Sequence, residues 1–175
     1  MRWLIRWMIK RYLQRLQMWA VETEPDLIIG GDYLIRWYIV RDVTNNEVDG
    51  EHELRAATIK SRWMNAFLHC VARSDDDRAL HDHPWLNISI ILEGTYREVY
   101  ADRAVLRRPG DIVFRFGSTA HRLEVVDGPV WSLFITGPKY REWGFRCPNG
   151  WRHWKEFTSY NTDGDSTRVG RGCGE

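Results

Sequence analysis

Five short apolar runs, at 86–92, 95–100, 111–116, 121–126 and 130–136, follow one another with a turn signal in each gap. The signals are Glu93-Gly94, Arg108-Pro109-Gly110, Gly117-Ser118 and Asp127-Gly128-Pro129. Runs this short cannot make stable helices, and strands so evenly punctuated must close their apolar faces on one another as an antiparallel sandwich or barrel. Upstream, 32–41 (DYLIRWYIVR) and 64–72 have strand composition, 45–50 is turn-rich, and 54–60 reads as a strand or short connection. The chain is therefore expected to be all-β.

Two segments stand apart. Residues 2–20 read as an amphipathic helix: Arg2, Arg6 and Lys10 recur every four residues, while Trp3, Leu4, Trp7, Ile9, Leu13 and Leu16 fill the other side. Packing on the barrel or on a second subunit is the favoured role, since short helices commonly flank such barrels; surface contact with an anionic membrane is the disfavoured one. At the other end, 143–154 is crowded with aromatics and broken by Gly and Pro, either as a lid over the barrel mouth or as cover for a sheet edge. The expected divisions are 1–22 for the helix, 23–158 for the barrel with its flanking strands and aromatic extension, and 159–175 for a flexible glycine-rich tail.

Histidines carry the chemistry. His81 and His83 stand two apart, so on a strand both rings point to one face, and His121 arrives behind the Pro109-Gly110-Asp111 turn. Three imidazoles from two strands form a facial set around one divalent ion and leave its other positions open to a small molecule. Strand parity puts Asn87, Ser89 and Ile91 on the face of His81 and His83, and Leu123 and Val125 on that of His121. Asp82 points away and is expected to orient a loop or to support an imidazole. Trp85 belongs at the cavity rim. Tyr96 can serve as a hydrogen-bond donor only if a bulge turns it inward. Arg73, Arg97 and Arg122 are the nearest cations for clamping a carboxylate or phosphate. His52, His69 and His153 read as packing or surface residues, and the run at 75–77 as a solvated turn.

The pattern resembles the cupin superfamily over residues 75–136. The family's first motif is G-x5-H-x-H-x3,4-E-x6-G, and here His81, His83 and Gly94 are in register. Asn87 replaces the glutamate, and Asp75 the opening glycine. The second motif, G-x5-P-x-G-x2-H-x3-N, is met by Gly110 and His121, with Phe116, Ser118 and Val125 at the remaining positions. The resemblance implies an antiparallel jelly-roll barrel holding a divalent metal on His81, His83 and His121, with Asn87 beside it as a further catalytic residue. Asn87 makes the ligand set neutral, so the metal keeps more of its charge for substrate or water. Thiol dioxygenases of the superfamily also use three histidines without a carboxylate. The leading expectation is thus an Fe(II) dioxygenase-type oxidoreductase acting on a small molecule. The alternatives are a non-oxidative isomerase or hydrolase-like enzyme using Zn(II) or Mn(II), and a ligand-binding or regulatory cupin without turnover; Ni(II) also suits the donors.

Composition narrows the partners. With 25 Lys and Arg against 24 Asp and Glu the net charge is +1, giving no basic field for nucleic acid. No apolar run approaches the roughly 20 residues of a membrane span. The 10 tryptophans supply large rigid surfaces for lining or sealing a small barrel. Cys70, Cys147 and Cys173 are odd in number and widely spaced, which reads as reduced thiols in a cytoplasmic protein, with Cys70 in the core. A homodimer is compatible with the helix.

Overall fold

The computed structural model describes residues 2–29, 33–42, 59–75, 79–158 and 172–174, with side chains of the first helix described from Arg11 onward except Leu13. After α1 (Arg2–Val21) come β1 (Leu27–Ile29), β2 (Leu34–Asp42), β3 (Ile59–Ser61), β4 (Asn65–Val71), β5 (Leu80–His81), β6 (Asn87–Val99), β7 (Ala104–Arg107), β8 (Ile112–Arg115) and β9 (Arg122–Thr136). The hairpin β10 (Gly144–Cys147) and β11 (Gly150–His153) and the single turn α2 (Trp154–Phe157) close the sequence of elements.

The main sheet runs β1-β2-β4-β9-β6-β7, with β3 beside β2 and β8 on the same side of β6 as β7. All its pairings are antiparallel except β2 with β3. This is the all-β jelly-roll arrangement expected, although the sheet is not closed into a continuous barrel. A second, three-stranded sheet runs β11-β10-β5.

Two expected turns prove to be bends inside long strands. β6 passes through Glu93-Gly94 and β9 through Asp127-Gly128-Pro129, and the ladder between them shifts register at Glu93, Thr95 and Tyr96. Each strand is long enough to serve both layers of the fold, so it must bend, and bulges supply the bend. Gly94 takes φ +76°, and a Cβ there would lie 2.6 Å from Pro129 O and 2.9 Å from Asp127 O. Only glycine allows the two strands to approach so closely.

The outer face of β2, β4 and β9 is apolar and lies under α1. Trp37, Leu68 and Cys70 are buried there with Ala20, and Leu16, Trp19, Ile35, Ile39, Leu92 and Trp131 pack around them. The Trp37 and Trp131 rings stack at 5.5 Å. The helix therefore packs on the sheet, as favoured; Trp3, Trp7 and Leu13, the expected anchors, lie outside the described side chains. Cys70 is the core thiol expected, its pKa pushed up to about 11 by burial and then by the charge of Glu93.

The inner face holds two apolar clusters with polar groups between them. Val71, Ile91, Tyr96 and Val130 form one, with Leu123 and Val125 against it, and Tyr38, Phe67 and Phe134 form the other. His69 is packed as anticipated, 5.0 Å from Phe134 and accepting at Nε2 from Arg36 Nε at 3.0 Å.

The cysteine reading needs correction. Cys147 and Cys173 form a disulfide across 26 residues, so the cysteine argument for a reducing compartment falls for this pair. Loop spacing alone did not reveal that the chain returns to the β10–β11 hairpin, where Arg152 Nη1 of β11 also donates to Gly172 O at 2.8 Å. Residues 159–171 of the expected tail lie outside the described residues, as do His52, Asp76 and Asp77. Among the described residues no helix is long and apolar enough to cross a membrane.

Candidate metal centre

His81 ends β5, and His121 stands just before β9. The two exchange both backbone bonds, His81 N to His121 O at 2.8 Å and His121 N to His81 O at 2.9 Å. This bridge sets their rings side by side, with centroids 4.9 Å apart. His83 follows two residues later on the same face, held through its backbone N–H by Gly117 O at 2.9 Å. Gly117 permits that approach, since a Cβ there would meet His83 O at 2.7 Å.

The three rings bring one nitrogen each within 4.8 Å of one another. His83 Nε2 and His121 Nε2 are 2.9 Å apart. Two nitrogens bound at right angles, each about 2.1 Å from a common ion, would be separated by about 3.0 Å. The spacing suits adjacent metal ligands.

The far side of two rings faces carboxylates. His121 Nδ1 has no straight hydrogen-bond partner but lies 2.8 Å from Glu98 Oε1, at ion-pair distance. His81 Nδ1 lies 3.5 Å from Asp75 Oδ2, and Asp75 is itself fixed by Tyr33 Oη and by Leu123 N at 2.8 Å. A carboxylate behind a ring places the proton on Nδ1 and frees Nε2 for a metal. Charge agrees with this: His83 is held well below the usual imidazole range by burial and then by the charges of its neighbours, beginning with His121 and His81. Burial likewise lowers His121 to about 4 against the opposing pull of Glu98. Both are neutral near pH 7, the form that ligates. The donor set fits a divalent metal.

Behind the histidines is a buried ionic cluster that the sequence reading missed. Glu98 is inaccessible and takes Arg115 Nε at 2.5 Å and Arg107 Nε at 2.7 Å. Burial alone would raise the Glu98 carboxyl, but the close His121 ring and the Arg115 charge and bond hold it far below the usual range. Arg115 also donates to Ser89 Oγ at 2.8 Å, Tyr96 Oη at 3.2 Å and Asn87 Oδ1 at 3.3 Å. The missed signal is one of parity. In β8 the apolar Ile112 and Phe114 are exposed, while Val113 and Arg115 face inward.

The remaining candidates divide by strand face. Asn87 and Ser89 are buried on the inner face as expected, but Asn87 turns its oxygen to Arg115. The bulges in β6 bring Tyr96 inside, where burial, the leading cause, pushes its hydroxyl up to about 12. Trp85 is buried and stacks on His83 with centroids 6.4 Å apart. Arg97 and Arg122 are not brought to the histidines. Each pairs with Glu124, because Arg97 alternates with the inward Tyr96 and Glu98, and Arg122 with His121. Arg73 sits over the Tyr33 ring at 5.6 Å, on the Asp75 side of the site.

Asp82 orients the aromatic extension. Wholly buried, it accepts from Gly144 N at 2.9 Å, Trp151 Nε1 at 3.1 Å and Arg141 Nη2 at 3.1 Å. Arg141 Nη1 reaches back to His83 O and Gly117 O, each at 3.1 Å. Of the two roles weighed for the extension, the strand pairing matches edge cover: Phe145 pairs with His81 and Arg146 with Leu80. Its stack of Phe145 on Phe157, at 3.6 Å, backs the His81 ring from 6.0 Å.

No protein-family model matches the sequence, and no curated protein does. Among solved structures the chain is similar to KdgF from Halomonas sp., at 11% identity over 69% of this chain and 93% of that one, with a TM-score of 0.49. It is also similar to an RmlC-like cupin protein from Ralstonia eutropha, at 15% identity over 71% and 69%, with a TM-score of 0.45. A third is the DMSP lyase DddQ from Ruegeria pomeroyi, at 17% identity over 61% of this chain and 48% of the lyase, with a TM-score of 0.45. Of these the Ralstonia protein is described as an RmlC-like cupin, and in this chain His81, His83 and His121 cluster as the motif implied.

Proposed function

We propose that this chain is a metal-dependent cupin enzyme acting on a small molecule, with an Fe(II) dioxygenase-type oxidoreductase as the preferred reading. The observation that carries it is the neutral donor set of His81, His83 and His121, with ligating nitrogens gathered within 4.8 Å. Asn87, at the position where the family has a carboxylate ligand, turns its oxygen to Arg115. When bound, Fe(II) on such a set supplies open positions for a substrate and dioxygen. The chain's own residues hold and orient. Glu98 and Asp75 fix the ring orientations of His121 and His81, and Trp85 and Phe134 flank His83. Tyr96 accepts from Arg115 and keeps its own proton to donate.

One observation favours a second reading. The buried donors Arg115, Tyr96 and Asn87 resemble the surroundings of an oxyanion, which suits a non-oxidative enzyme using Zn(II) or Mn(II) as a Lewis acid. Elemental analysis of untagged full-length protein separates the two, followed by oxygen-uptake measurements on the iron-loaded form. Stoichiometric iron with substrate-dependent uptake is the expected result. Tightly held zinc or manganese without oxygen uptake would replace the oxygenase reading with the second. Failure to retain any of these metals after repletion would remove both.

A further inference from the structure

Asn87 is wholly buried on the inner face of β6, beside Ser89. Arg115 Nη1 points at its Oδ1 from 3.3 Å. A guanidinium carries donors and no acceptor, so the amide cannot be turned round: oxygen faces Arg115 and the NH2 faces away. Among the described residues that Nδ2 has no hydrogen-bond partner. A buried amide donor without an acceptor is costly, and native folds keep one mainly where something else supplies the acceptor.

The surroundings say what kind of acceptor. Glu98 is shared by Arg107 and Arg115, so the cluster of two cations and one carboxylate carries a net positive charge. From Asn87 a continuous chain of polar contacts runs through Arg115 and Glu98 to His121, at 3.3, 2.5 and 2.8 Å. The three histidines add no negative charge to a divalent ion, so an anionic oxygen is the acceptor that best balances the interior. Ser89 Oγ and Tyr96 Oη, both acceptors from Arg115, have protons of their own to turn toward the same ligand.

We propose that Asn87 Nδ2 is a substrate-positioning donor for the carboxylate of a small organic acid held at the three-histidine centre. This rests on the metal-enzyme reading above and adds the substrate class. Asn87 is thereby assigned to the ligand and not to the metal.

The test uses full-length protein loaded with zinc, which is diamagnetic, and pyruvate as the carboxylate probe. The Asn87 side-chain amide resonances are assigned from their loss in Asn87→Asp. This variant keeps an oxygen for Arg115 and loses the donor but adds a negative charge. The neutral Asn87→Leu, which has neither donor nor charge, is therefore titrated beside it, and unchanged pyruvate affinity in Asn87→Leu would also overturn the proposal. Pyruvate should shift the Asn87 resonances in a saturable way, and Asn87→Asp should bind it at least about tenfold more weakly, the value of one charge-assisted hydrogen bond. Neutral pyruvamide should bind far less well. Resonances that stay in place, equal pyruvate affinity in Asn87→Asp, or equal affinity for pyruvamide would each overturn the proposal. Zinc affinity is measured separately on the same samples. If zinc does not bind, the metal reading fails by itself, and the same titration of metal-free protein still decides the role of the amide.

Discussion

Replacing Glu98 with Gln tests whether the ionic cluster holds the site together. The substitution conserves volume and one acceptor but removes the charge between Arg115, Arg107 and His121, which sit at 2.5, 2.7 and 2.8 Å. Breaking a buried ion pair by neutralising one partner costs about 3–5 kcal/mol, because the remaining charge stays out of water. Here the relief is partial. The Arg107 side chain is 21% exposed and reaches solvent, whereas that of Arg115 is 2% exposed and keeps only the neutral oxygens of Ser89, Tyr96 and Asn87. The lower end applies, about 3 kcal/mol. For a domain of this size that lowers Tm by about 6–12 °C. Urea unfolding of metal-free wild type and Glu98→Gln measures the loss. Adding Arg115→Met should restore part of it, because the uncompensated cation is then gone. The double variant should lose at least about 1 kcal/mol less than the two single losses summed. A Glu98→Gln loss below about 1 kcal/mol, or strict additivity, would refute the claim that Glu98 and Arg115 act as one buried unit.

Acid should destabilise the metal-free protein early. His69, His83 and His121 are held neutral below the ordinary imidazole range, His121 at about 4. The unfolded chain then takes up protons that the fold refuses. Stability is full above about pH 6.5 and falls toward pH 4, by about 2 kcal/mol for His121 between pH 7 and pH 5, with His69 and His83 acting in the same direction. Unfolding midpoints that coincide at pH 5 and 7 would contradict this. Reducing Cys147–Cys173, which closes a 26-residue separation, should cost up to about 3.5 kcal/mol by loop entropy, read as a lower Tm with reductant and reproduced by Cys147→Ser. Gly94→Ala should destabilise by more than about 2 kcal/mol, since φ is +76° and the new Cβ would meet Pro129 O at 2.6 Å; unchanged urea unfolding would disprove that close approach. Deleting α1 should uncover Trp37, Leu68 and Trp131 and cause aggregation, checked by light scattering; a monodisperse truncation would show that the helix is not needed as cover.

Local chemistry made much of this protein legible in its sequence. The i, i+2 spacing of His81 and His83 and the turn before His121 are local features of the sequence, and they pointed to the right three rings although β5 ends at His81 and His83 lies just beyond it. The short apolar runs likewise implied an antiparallel sheet, and the N-terminal periodicity a helix. What parity cannot foresee is a change of parity. Register shifts at Glu93, Thr95 and Tyr96 turned Tyr96 and Glu98 inward. In β8 the apolar Phe114 is exposed and Arg115 is buried. Tertiary structure decided this, because a buried arginine is stable only where a carboxylate from another strand meets it, and Glu98 lies 17 residues away in sequence. The Cys147–Cys173 pairing and the seating of Asp82 under the aromatic extension are of the same kind. Both depend on where distant segments meet, which short-range spacing does not encode.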